Sequence, residues 1–299
     1  MRLWRHRCEW LLLQIMRAIA CALPERAAMT AGASVGKLIG RIWTSRRYIA
    51  RANLRAAFPG WDEALTEGTV RDVFGHFGQT TFEIMRLNKH TGSRLLSTVQ
   101  CSNRAVLDQA ASEGKGALFL SGHIGNWELF AGWIRALGFE IDVVVKPARN
   151  ALADRFYNAR RSGLGVGIIH SQTGTREILQ ALRKGRFVAI LADQYAGQEG
   201  IDVDFFGRPA STPRGPAALS LRLGCPIYTG VFLREGPGRY VADLDGRIDF
   251  QPTGDELSDQ TALTQIFTTR LEQHIRRHPS QWLWTHRRWR DQSGVDSAR

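Results

Sequence analysis

A histidine and a glutamate stand five residues apart in the stretch LFLSGHIGNWELF, residues 118–130. The apolar run at its start predicts a buried strand, and its last residues resume a helical pattern. His123 therefore follows a strand end, which is where open α/β sheets place their sites. Gly122 and Gly125 let the backbone approach a substrate closely and leave N–H groups free. The stretch is built for chemistry as well as for packing.

The chemistry that this pair of side chains suits is general base catalysis. Glu128 lies near the start of the predicted helix, where the helix dipole favours a carboxylate. A turn followed by a helix can bring Glu128 back to His123, hold the imidazole in one tautomer and stabilise its protonated form. The other ring nitrogen would then take a proton from an incoming hydroxyl, which typically accelerates a reaction about 10²–10⁴-fold. A capped helix beside a satisfied loop histidine would give the same pattern.

Nucleophilic and cofactor-dependent chemistry finds no support in the sequence. GASVG at 32–36 matches the G-x-S-x-G of serine hydrolases, but it lies inside a helical pattern and not at a strand–turn–helix elbow. GLGVG at 163–167 follows a helix and precedes a strand, the reverse of the dinucleotide fingerprint. The four cysteines are far apart and form no CxxC, so neither a zinc site nor a disulfide framework is expected. We therefore expect direct transfer without metal or cofactor.

Short apolar strands alternate with helical stretches through most of the chain. The predicted strands are 117–121, 139–145, 166–169, 187–191, 226–233 and 240–244. The predicted helices are two or three over 9–57, then 64–88, 103–113, 127–137, 151–161, 175–184, 215–223 and 259–277. This alternation predicts an α/β fold with a largely parallel mixed sheet flanked by helices. We assign residues 1–60 to an N-terminal membrane-associating helical region and 61–299 to one continuous catalytic domain.

The N-terminal region is strongly basic and amphipathic. Residues 1–60 hold eleven Lys/Arg against two Glu, so nine of the twelve net positive charges lie there. Apolar residues at 11, 12, 15, 19 and 23 share one helical face, while Gln14 and Arg17 interrupt any continuous apolar span. This pattern favours a helix that lies in the membrane interface beside anionic lipid. A plain amphipathic core helix is the alternative.

Several motifs in fixed order carry a family resemblance that covers nearly the whole chain. They are ANLRAAFP at 52–59, HIGNWE at 123–128, ARRSGLG at 159–165, LADQ at 191–194, DFFGRPASTPRG at 204–215 and WLWTHRRW at 282–289. HIGNWE closely resembles the H-x-G-N-W-E signature of the bacterial lipid A biosynthesis acyltransferases, the lauroyl/myristoyl transferase family. That family shares the H-x₄-D/E motif of glycerolipid acyltransferases.

The resemblance implies a specific reaction. Such enzymes move a fatty acyl chain from acyl carrier protein to a hydroxyl on a hydroxyacyl chain of a lipid A precursor. They work at the cytoplasmic face of the inner membrane. His123 would be the base on the acceptor hydroxyl, with Glu128 as its partner. The predicted substrate-binding residues are Gly125, Asn126, Arg160, Arg161, Asp193 and Arg214.

The expected partners are acyl carrier protein, the lipid A precursor and an anionic inner-membrane surface. Acyl carrier protein is acidic and the acceptor carries phosphates, so both suit a basic protein. The nearest alternative function is the same chemistry on another glycolipid or a glycerophospholipid. Nucleic-acid binding is a remote alternative, because the basic residues lack a helix-turn-helix, a zinc finger or an RNP-like aromatic pattern.

Overall fold

A seven-stranded sheet forms the centre of the computed structural model, which describes residues 2–172 and 174–289. Residues 290–299, the end of the predicted catalytic domain, lie outside the described residues. The strands in chain order are β1 (Val99–Gln100), β2 (Ala117–Ser121), β3 (Ile141–Val145), β4 (Gly167–His170), β5 (Phe187–Leu191), β6 (Ile201–Asp204), β7 (Pro209–Thr212), β8 (Ile227–Gly236) and β9 (Arg239–Arg247). Strands β6 and β7 form a separate antiparallel hairpin.

The central sheet has the order β1-β9-β8-β2-β5-β3-β4. All neighbouring strands are parallel except β8 and β9, which form an antiparallel hairpin. This arrangement confirms the predicted largely parallel mixed sheet. Strands β2 and β5 are paired along their length, so Ser121 at the end of β2 faces Leu191 at the end of β5. The segments that follow these two strands therefore emerge side by side at the carboxyl edge of the sheet.

Helices cover both faces of the sheet. In chain order they are α1 (Arg2–Ala22), α2 (Glu25–Ile42), α3 (Thr44–Ala57), α4 (Glu63–Met85), α5 (Gly92–Thr98), α6 (Ala105–Ser112), α7 (Trp127–Ala136), α8 (Ala151–Gly163), α9 (Thr175–Arg183), α10 (Gly215–Leu223) and α11 (Glu256–Arg277). Side chains of β2 alternate between the two faces, as the pleat requires. Phe119 packs with the residues of α7, whereas Leu118 and Leu120 pack with those of α9, α10 and α11.

The glycine stripe of the N-terminal region lies where two helices cross. Gly36 of α2 approaches α4 so closely that a Cβ on it would lie 2.0 Å from the carbonyl oxygen of Phe74. A Cβ on Gly78 of α4 would likewise lie 2.0 Å from the carbonyl oxygen of Gly32. Only glycine permits this backbone contact, so GASVG belongs to helix packing, as the sequence indicated.

The basic charge of the N-terminal region is partly neutralised by α4. Arg47 and Arg51 of α3 pair with Glu67, and Arg51 also pairs with Glu63. Arg55 shares the Glu63 carboxylate. Charge counting along the sequence missed these pairs because both acids lie just beyond residue 60. Among the described helices, none combines the length and the apolarity that a bilayer crossing needs.

Candidate active site

His123 lies in the loop that joins β2 to α7, beyond the carboxyl ends of the parallel strands. Its carbonyl oxygen accepts a hydrogen bond from the Leu283 N–H at 3.1 Å, which ties the loop to the C-terminal segment. The indole of Trp127 meets the imidazole edge-on, with ring centroids 5.0 Å apart. The side chain of His123 keeps 19% exposure, so it is ordered and still accessible to a substrate.

Asp193 is the carboxylate that meets the imidazole. It follows β5, and its Oδ1 lies 2.7 Å from Nδ1 of His123. Its Oδ2 accepts the backbone N–H of His123 at 2.7 Å and the indole N–H of Trp282 at 2.8 Å. Gly122 makes room for this contact, because a Cβ there would lie 2.9 Å from Asp193 Oδ2. The glycine before His123 therefore admits the carboxylate and does not serve a substrate.

The surroundings of Asp193 keep it ionised. Burial alone would raise the pKa of this carboxyl, but the opposing effects of His123 and Trp282 outweigh burial and lower the pKa to about 2. An ionised Asp193 accepts hydrogen bonds only, so in the neutral imidazole Nδ1 of His123 carries the hydrogen and Nε2 has the lone pair. The side-chain amide of Gln194 lies 3.4 Å from that Nε2. This tautomer is the one that a general base needs.

The predicted pairing of His123 with Glu128 is wrong. Glu128 on the first turn of α7 faces α8 instead, where both of its oxygens accept hydrogen bonds from Arg161. The Nε–Oε2 distance is 2.8 Å and the Nη2–Oε1 distance is 2.6 Å. Burial would lower the pKa of Arg161, but its hydrogen bonds and charge attraction to Glu128 raise it. The planar fork of the guanidinium matches a carboxylate better than a single ring nitrogen does.

Gly125 and Asn126, both predicted to bind substrate, contact other parts of the protein and lie outside the lining of the cavity described below. The N–H of Gly125 donates to Gln281 O at 3.0 Å, and a Cβ on this glycine, whose φ is +63°, would lie 1.8 Å from Phe232 O. Asn126 is fully buried, its N–H donates to Phe232 O, and its side-chain oxygen caps α7 by accepting the N–H of Leu129 at 3.1 Å. Both predicted substrate-binding residues shape the loop, because tight packing and capping require glycine and asparagine there.

The remaining predicted arginines lie in different places. Arg160 stacks on Phe156, with its guanidinium carbon 3.2 Å from the ring centroid, and donates to the Phe156 carbonyl oxygen at 2.6 Å. Arg214 lies exposed just before α10 and is outside the lining of the cavity described below. Arg288 of the WLWTHRRW motif is buried and donates to Ser211 O at 2.6 Å. Its role is to hold the β6–β7 hairpin.

An apolar cavity of about 490 Å³ opens beside His123. It lies between α7 and one face of the sheet. Its mouth carries His123, Glu128, Arg161, Gln194, Ser121 and Lys146, and its walls include Phe119, Phe130, Ala131, Ile134, Ile141, Val143 and Ala189. The volume falls within the range of small-molecule sites, and polar groups gather at one end only. Such a cavity accommodates a long apolar chain with its reactive end beside the imidazole.

Comparison with known proteins identifies the family. The family described as "Bacterial lipid A biosynthesis acyltransferase" matches residues 1–291. The chain belongs to this family. It is similar to the phosphatidylinositol mannoside acyltransferase of Mycobacterium tuberculosis, with 29% identity over 73% of this chain and 68% of the relative. It is also similar to two proteins of Escherichia coli strain K12. These are the lipid A biosynthesis palmitoleoyltransferase, with 25% identity over 97% of this chain and 90% of the relative, and the myristoyltransferase, with 24% over 94% and 86%.

For this acyltransferase, sequence reasoning placed His123 at the strand end and misassigned the carboxylate that contacts it. Asp193 was expected only as part of the substrate pocket, because 70 residues separate it from His123. Gln194 and Lys146 were not singled out at all. The usable signal was the position of LADQ directly after a predicted buried strand, since parallel strands place their carboxyl ends along one edge. If the pairing of β5 with β2 had been known, the contact between Asp193 and His123 would have been predicted.

Proposed function

We propose that this acyltransferase moves a fatty acyl chain from the thioester of acyl carrier protein to a hydroxyl of a hydroxyacyl chain on a lipid A precursor. The observation that carries the proposal is the His123–Asp193 pair at the mouth of an apolar cavity of about 490 Å³. A buried cavity of this shape suits the donor's acyl tail, because burying each methylene contributes about 0.8 kcal/mol. The thioester carbonyl would then lie beside the imidazole.

The geometry supports transfer in one displacement. Nε2 of His123 removes the proton of the acceptor hydroxyl while the oxygen attacks the thioester carbonyl. The tetrahedral intermediate collapses, the carbon–sulfur bond breaks, and the thiolate takes the proton from Nε2. Asp193 stays ionised throughout and stabilises the imidazolium. The amide of Gln194, 3.4 Å from Nε2, is placed to donate to the developing oxyanion once the hydroxyl occupies its position. No metal or organic cofactor takes part in this scheme.

The acceptor phosphates and the acidic donor need cations near the mouth. Lys146 lies at the mouth of the cavity. Arg160 lies on α8 one position before Arg161, and burial together with the nearby charge of Arg17 lowers its pKa. In the described part of the chain, no carboxylate pairs with either Arg17 or Arg160. Two such arginines side by side favour a phosphate. We assign the acceptor phosphate to these two arginines.

Association with an anionic membrane surface is part of the proposal. Helix α1 exposes Leu12 by 58% and Ile15 by 49%, together with Leu11, Ile19 and Trp10. The end of α2 also exposes apolar side chains, namely Leu38, Ile39 and Ile42, and Trp43 directly after the helix is exposed as well. Apolar side chains with tryptophan and arginine among them are typical of helices that lie in the lipid interface. The cytoplasmic face of the inner membrane is where such a surface would meet the acceptor.

A second acceptor class has an observation of its own. The mycobacterial relative, at 29% identity, is named for phosphatidylinositol mannoside, a glycolipid other than lipid A. The catalytic pair and the acyl cavity serve any lipid hydroxyl, so the choice of acceptor depends on residues around the mouth. Lipid A precursors remain the preferred acceptor because the family match spans residues 1–291.

The test is mass spectrometry of lipids after incubation of the purified protein with acyl-acyl carrier protein and each acceptor in turn. We expect the lipid A precursor to gain one acyl chain, and His123→Ala to lower the rate at least about a hundredfold with an unchanged melting temperature. If only the phosphatidylinositol mannoside is acylated, that glycolipid replaces the lipid A precursor as the proposed acceptor. Absence of product with both acceptors would contradict the proposal, and an acyl-enzyme trapped on serine or cysteine would contradict direct transfer.

A further inference from the structure

A buried ion pair joins β8 to α4 outside the lining of the cavity. Arg234 of β8 and Glu83 of α4 keep only 5% and 1% of their side chains exposed. Arg234 Nε donates to Glu83 Oε1 at 2.8 Å, and Nη2 donates to Oε2. Tyr240 Oη also donates to Oε1 at 2.8 Å. Burial would raise the pKa of Glu83, but the charge and hydrogen bonds of Arg234 lower it, so the pair is ionised.

Two hydrogen-bonded links run from this ion pair to the residues that follow His123. The side-chain amide of Asn126 donates to Glu83 Oε2 at 2.6 Å. His76 of α4 provides the other link, because its Nδ1 lies 2.6 Å from Arg234 Nη1 and its Nε2 lies 3.1 Å from Gly125 O. A guanidinium only donates, so Nδ1 of His76 accepts and Nε2 carries the hydrogen that Gly125 O receives. One link ends on the Asn126 side chain and the other on the Gly125 carbonyl oxygen, so both reach residues 125–126.

The backbone of Arg234 is held to the same loop by Gln281. The Gln281 side chain accepts the N–H of Arg234 and donates to its carbonyl oxygen, each at 3.0 Å. The Gln281 carbonyl in turn accepts the N–H of Gly125 at 3.0 Å. Strand β8, helix α4 and the C-terminal segment thus all contact Gly125 or Asn126. These two residues follow His123 by two and three positions.

Stability alone does not explain a charged group at this place. Desolvating an arginine and a carboxylate costs several kcal/mol per ion, and replacing such a pair by apolar residues is often neutral or stabilising. What apolar packing cannot supply is a directional bond to a carbonyl oxygen and to an amide hydrogen. A misplacement of about 1 Å in a catalytic group can lower a rate about 100-fold. The loop that carries a general base is where directional bonds matter.

We infer that Glu83, Arg234 and His76 are positioning residues of the acyl transfer, which set the path of residues 125–126 and thereby the direction in which His123 presents Nε2. The inference rests on the proposed function. None of the three residues lines the cavity or its mouth, so they act through the loop and not on the substrate.

The first test compares two variants that each remove one hydrogen bond to Glu83. Asn126→Ser deletes the amide donor but keeps a good helix cap, and Oε2 retains Arg234. Tyr240→Phe deletes the hydroxyl donor, Oε1 retains Arg234, and the loop contacts are untouched. We expect the two variants to show similar decreases in melting temperature. Only Asn126→Ser should also lower kcat, by about tenfold to a hundredfold, while KM for the acyl donor stays unchanged.

The second test uses rescue at His76. Glutamine can accept from Arg234 and donate to Gly125 O, whereas leucine can do neither. We expect His76→Gln to retain kcat within about threefold and His76→Leu to lower it about tenfold or more. Equal rates for these two variants, or parallel losses of kcat and stability in Asn126→Ser and Tyr240→Phe, would overturn the positioning role.

A readout without substrate separates this inference from the proposed function. The N–H groups of Gly125 and Asn126 are hydrogen-bonded in the folded loop. We expect their hydrogen exchange to be faster in Asn126→Ser and His76→Leu than in wild type, and unchanged in Tyr240→Phe. Unchanged exchange in all three variants would overturn the inference even if the enzyme is active. A wild-type protein without transferase activity would overturn the proposed function while the exchange result still decides the positioning role.

Discussion

At the scale of single residues, two carboxylates line or contact the site and have different partners. Asp193 faces Nδ1 and sets the tautomer, whereas Glu128 holds Arg161 beside the acyl cavity. Each carboxylate therefore has its own partner. Under the proposed function, we therefore expect a change at Glu128 to act on substrate binding and local stability, and a change at Asp193 to act on His123.

A double-mutant cycle measures this division directly. Glu128→Ala and Arg161→Ala should be coupled by about 1–3 kcal/mol in free energy of unfolding, because the two groups form a bidentate, mostly buried pair. Glu128→Ala and His123→Ala should be additive within about 0.5 kcal/mol. Chemical denaturation of the single and double variants gives both values. Strong coupling of Glu128 to His123 with none to Arg161 would contradict the assignment.

Residue patterns placed His123 correctly at a strand end because that signal is local. His123 follows an apolar strand and is framed by glycines, all within one short stretch. Its true partner depends on which strand lies beside β2, and that order is set by long-range packing. Gly125 and Asn126 show the same limit, because their neighbours Phe232 and Gln281 come from distant segments. The sequence shows which residue types are present, but only the fold shows which residues they contact.

At the scale of elements, α7 and strands β2, β3 and β5 form the walls of the cavity that we propose binds the acyl chain. The polar residues lie near the start of α7 and the ends of the strands, whereas Ile134 and Ile141 lie toward the opposite end. Ala131 lies between these ends on the cavity side of α7. The position of Ala131 makes it a place where a larger side chain would shorten the cavity.

Ala131→Leu should shift the preferred donor to a shorter acyl chain. The added atoms would occupy the empty cavity, so we expect a smaller loss of stability than the 1–3 kcal/mol or so that overpacking of a full core costs. Ala136→Leu is the matched control, because Ala136 is on the same helix but does not line the cavity. Competition between donors of different length gives the selectivity. Equal selectivity in both variants would argue against this cavity as the acyl site.

Elements with clear periodicity were predicted well, and short ones were not. The strand at 187–191 and the helix at 215–223 were predicted with the bounds found in the structure. Helix α5, strand β1 and the β6–β7 hairpin were missed. A strand of two residues carries no periodic signal. The hairpin is contacted by Arg288 from the far end of the chain, and no local pattern reports such a contact.

At the scale of the whole molecule, exposed apolar side chains gather on the N-terminal helices. Leu12→Glu together with Ile15→Glu should decrease binding to anionic phospholipid vesicles at least about tenfold. Each change removes apolar area that the bound helix would bury in the lipid, and each adds a negative charge that anionic lipid repels. Leu257→Glu is the control, since Leu257 is similarly exposed, by 62%, on α11. Co-sedimentation with vesicles measures the binding. Unchanged binding in the double variant would contradict association through α1.

The stability of the whole molecule should also depend on the buried His76. Burial and the charge of Arg234 lower its pKa well below the usual 6.5, so the unfolded chain binds a proton in a pH range where the folded protein does not. Stability should therefore decrease as the pH falls below about 6.5. His76→Gln should reduce this dependence. Urea denaturation between pH 7.5 and 5 would show it, and an identical pH dependence in the variant would contradict the prediction.

The central claim is that an imidazole oriented by Asp193 activates the acceptor hydroxyl. The most direct measurement is kcat for acyl transfer by Asp193→Asn beside Glu128→Gln, both checked for an unchanged fold. Loss of the orienting carboxylate should lower kcat by about 10³–10⁴-fold, because the imidazole then loses the tautomer and the charge that it needs. Glu128→Gln should retain at least about a hundredfold more activity than Asp193→Asn. Nearly full activity of Asp193→Asn, or a larger loss in Glu128→Gln, would contradict the account.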